Sequence, residues 1–210
     1  MSPAPRIAVI FYSATGNVAA MAEALAAGAR EAGAEVRVRP VAELAPPDAI
    51  ARNPRWQAWV EGNPYDREAQ LADLEWADGF AFGTPTRFGG PAAQLKQFLD
   101  TAGGLWFQRK LADKVGTAFV SASTSHGGLE STVLAINNVF YHWGSIVLPL
   151  GYGGDPSDGR LMGSGNPYGA SFVSRSSSTP DEEALTASRL QGERLARITG
   201  YVALGLAGSG

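Results

Sequence analysis

Arg6-Ile7-Ala8-Val9-Ile10-Phe11-Tyr12-Ser13-Ala14-Thr15-Gly16-Asn17-Val18 decides how this chain is read. Ile7 to Phe11 form an unbroken apolar run, the pattern of a strand buried on both faces of a parallel sheet. Two hydroxyls, a glycine and an amide follow. Val18, Met21, Ala22, Leu25, Ala29 and Ala32 then recur at helical spacing. A buried strand that turns through small polar residues into a helix presents free backbone N–H groups at the helix N-terminus, which is an anion site.

The loop has no lysine, so it does not match the nucleotide-triphosphate pattern G-x-x-x-x-G-K-[ST]. Nor does it carry the three glycines that let a dinucleotide pyrophosphate approach. What remains is an uncharged nest with hydroxyls at Ser13 and Thr15 and an amide at Asn17. It suits one terminal phosphate held by many hydrogen bonds, and the phosphate of FMN is the natural candidate. On these residues alone a second reading stands beside it: Asn17 caps the first helix while Ser13 and Thr15 shape a turn.

At 210 residues the chain fits one domain, expected over 1–210. Apolar residues at 45% and charged residues at 18% describe an ordinary globular protein. A net charge of −3, with no run of lysine or arginine, argues against nucleic-acid partners and electrostatic membrane association. No segment approaches the roughly 20 apolar residues that span a bilayer. The start, Met1 to Arg6, lacks the apolar core of a signal peptide. With no cysteine there is neither disulfide nor thiolate chemistry, and a cytoplasmic location is expected.

Further along, Gly33 reads as a helix C-cap, and Glu35–Arg39 alternates as a second strand. Pro46, Pro47, Pro54 and Pro64 interrupt residues 43–70, with Trp56, Trp59 and Tyr65 between them. This segment reads as an irregular insertion over the sheet. Asp78–Gly83 is the third strand, and it runs into Thr84-Pro85-Thr86-Arg87-Phe88-Gly89-Gly90-Pro91, with Pro91 placed to open a helix. Val115–Ser121 is the fourth strand and Ser145–Leu150 the fifth. A Gly-rich stretch, Gly151–Gly169, precedes a last helix that opens at Thr179-Pro180-Asp181-Glu182. Alternating strands and helices predict an α/β fold: a flavodoxin-like five-stranded parallel sheet of order 2-1-3-4-5, helices on both faces. In that order the loops after strands one, three and four converge on one crevice.

These residues resemble the WrbA family, tryptophan-repressor-binding-protein-like NAD(P)H:quinone oxidoreductases with a flavodoxin-like fold. The resemblance rests on Gly83-Thr84-Pro85-Thr86-Arg87-Phe88-Gly89, Phe98-Leu99-Asp100, Gly103-Gly104-Leu105-Trp106, Pro167-Tyr168-Gly169-Ala170 and Arg189-Leu190-Gln191-Gly192-Glu193. It implies FMN as prosthetic group and two-electron reduction of quinones to hydroquinones by hydride transfer from NADH or NADPH through the flavin. It also implies a homotetramer with its sites near subunit contacts. Carried over by position, Ser13, Ala14, Thr15, Gly16, Asn17 and Val18 hold the phosphate. Pro85, Thr86, Arg87 and Phe88 lie along the isoalloxazine ring. Ser121, Ala122, Ser123, Thr124, Ser125, Gly127 and Gly128 line its other edge, His142 reaches the flavin, and Trp106 faces the substrate together with Phe88.

The chain departs from the family at Thr15, where an aromatic residue associated with the nicotinamide cofactor is common. It departs again in the Ser121–Gly128 loop, which is richer in serine, one residue longer and carries His126.

Arg87 and His142 are the expected catalytic residues. Arg87 beside the pyrimidine edge of the ring would stabilise negative charge; the bland reading is a surface arginine paired with a carboxylate. His142 is open between a cap favoured by the helix dipole, a phosphate contact and a proton donor. His126 reads as a solvated loop residue. Two histidines without an acidic cluster make a metal site improbable. A flavodoxin-type one-electron carrier and a non-enzymatic regulatory binding protein are the competing functions. Weak net charge, the Arg87 loop and the insertion argue against the first, and the absence of any basic or helix-turn-helix pattern against the second.

Overall fold

The computed structural model describes residues 3–152, 165–174 and 179–208. Met1, Ser2 and most of the Gly-rich stretch expected at 151–169 (residues 153–164) lie outside the described residues.

The apolar run forms β1 (Arg6–Phe11), five of whose six residues are buried. α1 (Asn17–Glu31) returns antiparallel to it and ends as expected at Gly33. With φ +89° that glycine closes a Schellman turn, Gly33 N–H donating to Arg30 O and Ala34 N–H to Ala29 O. β2 (Glu35–Pro40) pairs with β1, and β3 (Gly79–Arg87) pairs on the other side, with Phe11 opposite Gly83. β5 (Val115–Ala122) lies next to β3 in a register that sets Pro85 opposite Ser121. All these pairs are parallel, so the carboxyl ends of β1, β3 and β5 emerge along one edge, and the expected strand order is observed through these positions.

The fifth position differs from expectation. The segment read as 145–150 contributes only β6 (Ile146–Val147), paired with the beginning of β5 at Val115 and Gly116. The end of β5 pairs instead with β8 (Gly169–Val173), itself joined to β7 (Gly165–Asn166) by an antiparallel turn. One strand position is thus shared by two stretches of chain. Pro149, with no N–H to give, closes off the first of them.

Three local readings are corrected. Pro91 does not open a helix. It sits in β4 (Gly90–Pro91), which folds back on β3 as a hairpin, and α5 (Ala93–Asp100) begins two residues later. Residues 43–70 are not wholly irregular, since they carry α2 (Pro47–Ala51) and α3 (Pro54–Glu61) ahead of α4 (Leu71–Trp76). The Gly103-Gly104 stretch is α6 (Gly103–Phe107), not a loop.

α7 (Leu129–Trp143) follows β5 as read, and α8 (Glu182–Ala207) opens on Asp181, whose Oδ1 accepts from Ala184 N–H at 2.9 Å. α4, α5 and α7 cover one face of the sheet through Leu74, Leu95, Phe98, Val133, Ile136 and Phe140. α1 and α8 cover the other through Val18, Met21, Leu25, Ala184, Ala187 and Leu195. α1 and α8 touch backbone to backbone. A Cβ built on Gly28 would fall 2.0 Å from Arg189 O, and one on Gly192 would fall 1.9 Å from Leu25 O. Gln191, also buried, stitches α8 to the sheet by accepting from Ala170 N–H and donating to Thr117 Oγ1 and Ala118 O.

Candidate functional site

The loop after β1 is built on Gly16. Its φ of +88° places it in the left-handed region and makes it the N-cap of α1, so Asn17 is the first helical residue and not the cap read from sequence. Ser13 Oγ does the capping, accepting from Gly16 N–H at 3.1 Å and Ala19 N–H at 3.4 Å. With both its lone pairs so used, its hydroxyl proton is left to donate. Among the described residues the N–H groups of Ala14, Thr15, Asn17 and Val18 make no hydrogen bond. Asn17 is buried, and its Oδ1 has no partner. A buried amide left bare costs on the order of 1–3 kcal/mol, which a hydroxylated ligand chain would recover. No lysine or arginine lies in the loop. A nest of main-chain donors, one hydroxyl donor and one bare acceptor matches a phosphate followed by a polyhydroxyl chain. FMN fits the residues present.

The second wall is the β3–β4 hairpin. Arg87 pairs with Gly90 across a two-residue turn, Phe88 at φ +52° and Gly89 at φ +80°, the type I′ combination that matches strand twist. Phenylalanine in the left-handed region is strained by roughly 1–2 kcal/mol, and its ring is fully exposed. Strain and an apolar ring held in water together mark Phe88 as a residue placed for contact. Arg87 is exposed and, among the described residues, donates only to Thr86 O, at 3.1 Å. It makes no ion pair among the described residues, so the surface-pair reading finds no partner. Its charge faces Tyr12 closely enough to oppose the rise in that phenol's pKa.

The third wall runs from Ser121 and Ala122, both buried at the end of β5, through exposed Ser123, Thr124, Ser125 and His126 to Gly127 and Gly128. Thr86 binds it to the hairpin. Its Oγ1 lies 3.2 Å from Gly127 O, 3.3 Å from Gly128 O and 2.7 Å from Thr132 Oγ1. That hydroxyl is committed internally, so any ring contact by Thr86 is made with its other atoms. Gly128, at φ +93°, packs so closely that a Cβ there would meet Gly89 Cα at 2.7 Å. Parallel pairing therefore sets residues 13–18, 85–88 and 121–128 at the same edge of the sheet, and the last two stretches touch.

The structure does not bring His142 or Trp106 to them. α7 starts at the crevice and runs back along the sheet, so His142 lies about 20 Å from the start of that helix. There Trp106 Nε1 donates to His142 O at 2.8 Å, and both side chains are exposed. Within one chain the expected reach of His142 to the flavin is corrected: the helix axis carries it to the opposite edge of the sheet.

Sequence reasoning missed Glu43. Its Oε2 accepts from Tyr12 Oη (2.8 Å) and Trp56 Nε1 (2.9 Å), and its Oε1 from Gln94 Nε2 (2.8 Å) and the N–H groups of Leu44 and Ala45 (2.9 Å each). Burial pushes its pKa up, but the bonds from Ala45, Gln94, Trp56 and Tyr12 outweigh this and hold it below the usual value. Burial, and then the bond to Glu43, push the Tyr12 phenol far above its usual range. A charged residue beside tryptophans in a proline-rich insertion was the only available signal.

Comparison with known proteins follows the same lines. The family model described as NADPH-dependent FMN reductase matches residues 5–157. A Deinococcus radiodurans protein named NAD(P)H dehydrogenase (quinone) is 43% identical over 173 residues, covering 82% of this chain and 85% of its own. A Rhizobium meliloti protein named NAD(P)H dehydrogenase (quinone) 3 is 39% identical over 206 residues, covering 95% and 94%. Among solved structures, a flavodoxin, WrbA-like protein from Agrobacterium tumefaciens superposes with a TM-score of 0.65 at 22% identity, over 93% of this chain and 97% of that one. At that identity it shows the flavodoxin-like fold alone.

Proposed function

This chain belongs to the NADPH-dependent FMN reductase family, and from that premise we propose that it is an FMN-dependent NAD(P)H:quinone oxidoreductase of the WrbA type. The curated relatives at about 40% identity are named NAD(P)H dehydrogenase (quinone). The observation that carries the reading is the bare Asn17 amide beside four uncommitted N–H groups in a cation-free loop, next to a hairpin that exposes Arg87 and Phe88.

FMN supplies the means to take two electrons from NAD(P)H and pass them to a quinone. The chain's part is position and electrostatics. Ser13 to Val18 hold the phosphate, Pro85 to Phe88 flank one side of the ring, and Ser121 to Gly128 flank the other. Arg87, which has no carboxylate partner among the described residues, offsets negative charge at the site. Phe88 offers its free face to a flat substrate.

His142 and Trp106 enter as residues of a neighbouring copy. The chain acts as a homotetramer in which the exposed Trp106–His142 edge of one protomer faces the flavin loops of another. Their joint exposure at the end of α7 supports this, as does the distance that keeps them from their own crevice. No helix of the described residues is long and apolar enough to cross a membrane. A cytoplasmic enzyme without nucleic-acid partners fits the absence of cysteine and of basic runs. The test is steady-state turnover. Protein saturated with FMN should oxidise NADPH or NADH when 1,4-benzoquinone is added, forming one hydroquinone per nucleotide. Quinone-independent behaviour of a flavin-saturated sample contradicts the assignment.

A further inference from the structure

The insertion straddles the carboxyl edge of the sheet beside the phosphate loop. Trp56 packs into the core on the α5–α7 face, whereas Trp59 and Tyr65 pack into the core on the α1 face. Between those anchors α3 lies against the loop, with Trp59 Cε3 only 3.3 Å from where a Cβ on Gly16 would stand. Tyr65 adds an edge contact to Phe11, with ring centroids 5.3 Å apart, and a bond to Glu23 on α1 at 2.7 Å. On the other side the anchor is Glu43. It joins three elements that border the crevice: Tyr12 at the end of β1, Trp56 in α3, and Gln94 in the helix that follows the Arg87–Phe88 hairpin.

We propose that Glu43 is a positioning residue for FMN binding: it clamps α3 so that Trp59 lies on Gly16 and holds the phosphate nest in its binding form. Tyr12 leads directly into the nest, and Gly16 sets its turn, so an unclamped α3 frees the loop at both points. A loop that is ordered before the ligand arrives binds more tightly than one ordered by it. Trp59 also excludes water from one side of the nest, which strengthens every N–H bond to an anion. The inference rests on the FMN reading above and adds to it residues that lie outside the three loops.

Glu43→Gln is a sharp probe because the amide fits in neither orientation. Placed on the Oε2 side, its NH₂ meets Trp56 Nε1–H; placed on the Oε1 side, it meets the N–H groups of Leu44 and Ala45. None of these can reverse to accept. Trp59→Ala removes the cover itself at a half-buried position, where the fold is less at risk. The readout is equilibrium titration of apo-protein with FMN and, separately, with riboflavin, which lacks the phosphate, followed by intrinsic tryptophan fluorescence or flavin absorbance. Amide hydrogen exchange over residues 54–61 is followed without ligand.

Both variants should weaken FMN binding by roughly tenfold or more. Riboflavin binding should change much less, so the preference for the phosphorylated flavin narrows. Exchange in α3 should quicken in Glu43→Gln. If both variants bind FMN within twofold of the native chain, or lose FMN and riboflavin in equal proportion, the inference fails and the FMN reading stands. A native chain that takes up no FMN would remove both.

Discussion

Gly192→Ala is expected to lower the stability of the fold by up to about 2 kcal/mol. The new methyl group would sit 1.9 Å from Leu25 O, so α1 and α8 must move apart along the face they jointly cover. Overpacking of this kind costs up to roughly 3 kcal/mol, against about 1 kcal/mol gained from the better helix propensity of alanine. Gly200→Ala is the control. It lies in the same helix, and its Cβ would meet nothing nearer than Pro5 Cγ at 3.9 Å. That change should raise stability by up to about 1 kcal/mol. Urea unfolding midpoints of the two variants should therefore move in opposite directions. A shift of the same sign in both would show that the crossing of α1 and α8 is not as close as described.

Gly128→Ala should act on the site. A side chain at φ +93° is strained by roughly 1–2 kcal/mol, and its Cβ would press on Gly89 Cα at 2.7 Å and Ser131 Oγ at 3.0 Å. Relief comes from parting the Ser121–Gly128 loop from the Arg87–Phe88 hairpin, with loss of the Thr86 bonds between them. FMN should bind about a hundredfold more weakly, the equivalent of roughly 2.7 kcal/mol. Gly103→Ala, where a Cβ meets nothing within 4 Å, should leave flavin affinity as it is. Equal affinity of Gly128→Ala and native protein would mean that the two loops do not have to touch to form the ring site.

Why some of this was readable in advance is a matter of burial. β1, β3 and β5 are covered on both faces, so their sequences are mostly apolar, and the polar loops that end them stand out. The three walls of the crevice follow from those ends and from parallel pairing. β8 was not legible because Gly169-Ala170-Ser171-Phe172-Val173 is short, small and hydroxylated, and it fills a strand position already claimed by Ile146–Val147. α2 and α3 bury no residue completely, so no apolar stripe announces them. Asn17 reads as a cap until Gly16 is seen in the left-handed region, which hands capping to Ser13 and leaves the amide bare. The remoteness of His142 was in principle available: a helix that follows a parallel strand runs back along it, so its last turn belongs at the far edge of the sheet. Glu43 owes its importance to partners up to 51 positions away, which spacing along the chain does not reveal.

The central claim is that an uncharged nest of backbone donors at Ser13–Val18 recognises a phosphate. Calorimetric titration of the apo-protein with FMN and with riboflavin tests it most directly. The account predicts one FMN per chain and riboflavin bound at least about a hundredfold more weakly, since several hydrogen bonds to a charged group are lost together. Equal affinities for the two flavins, or no uptake of FMN, would contradict it.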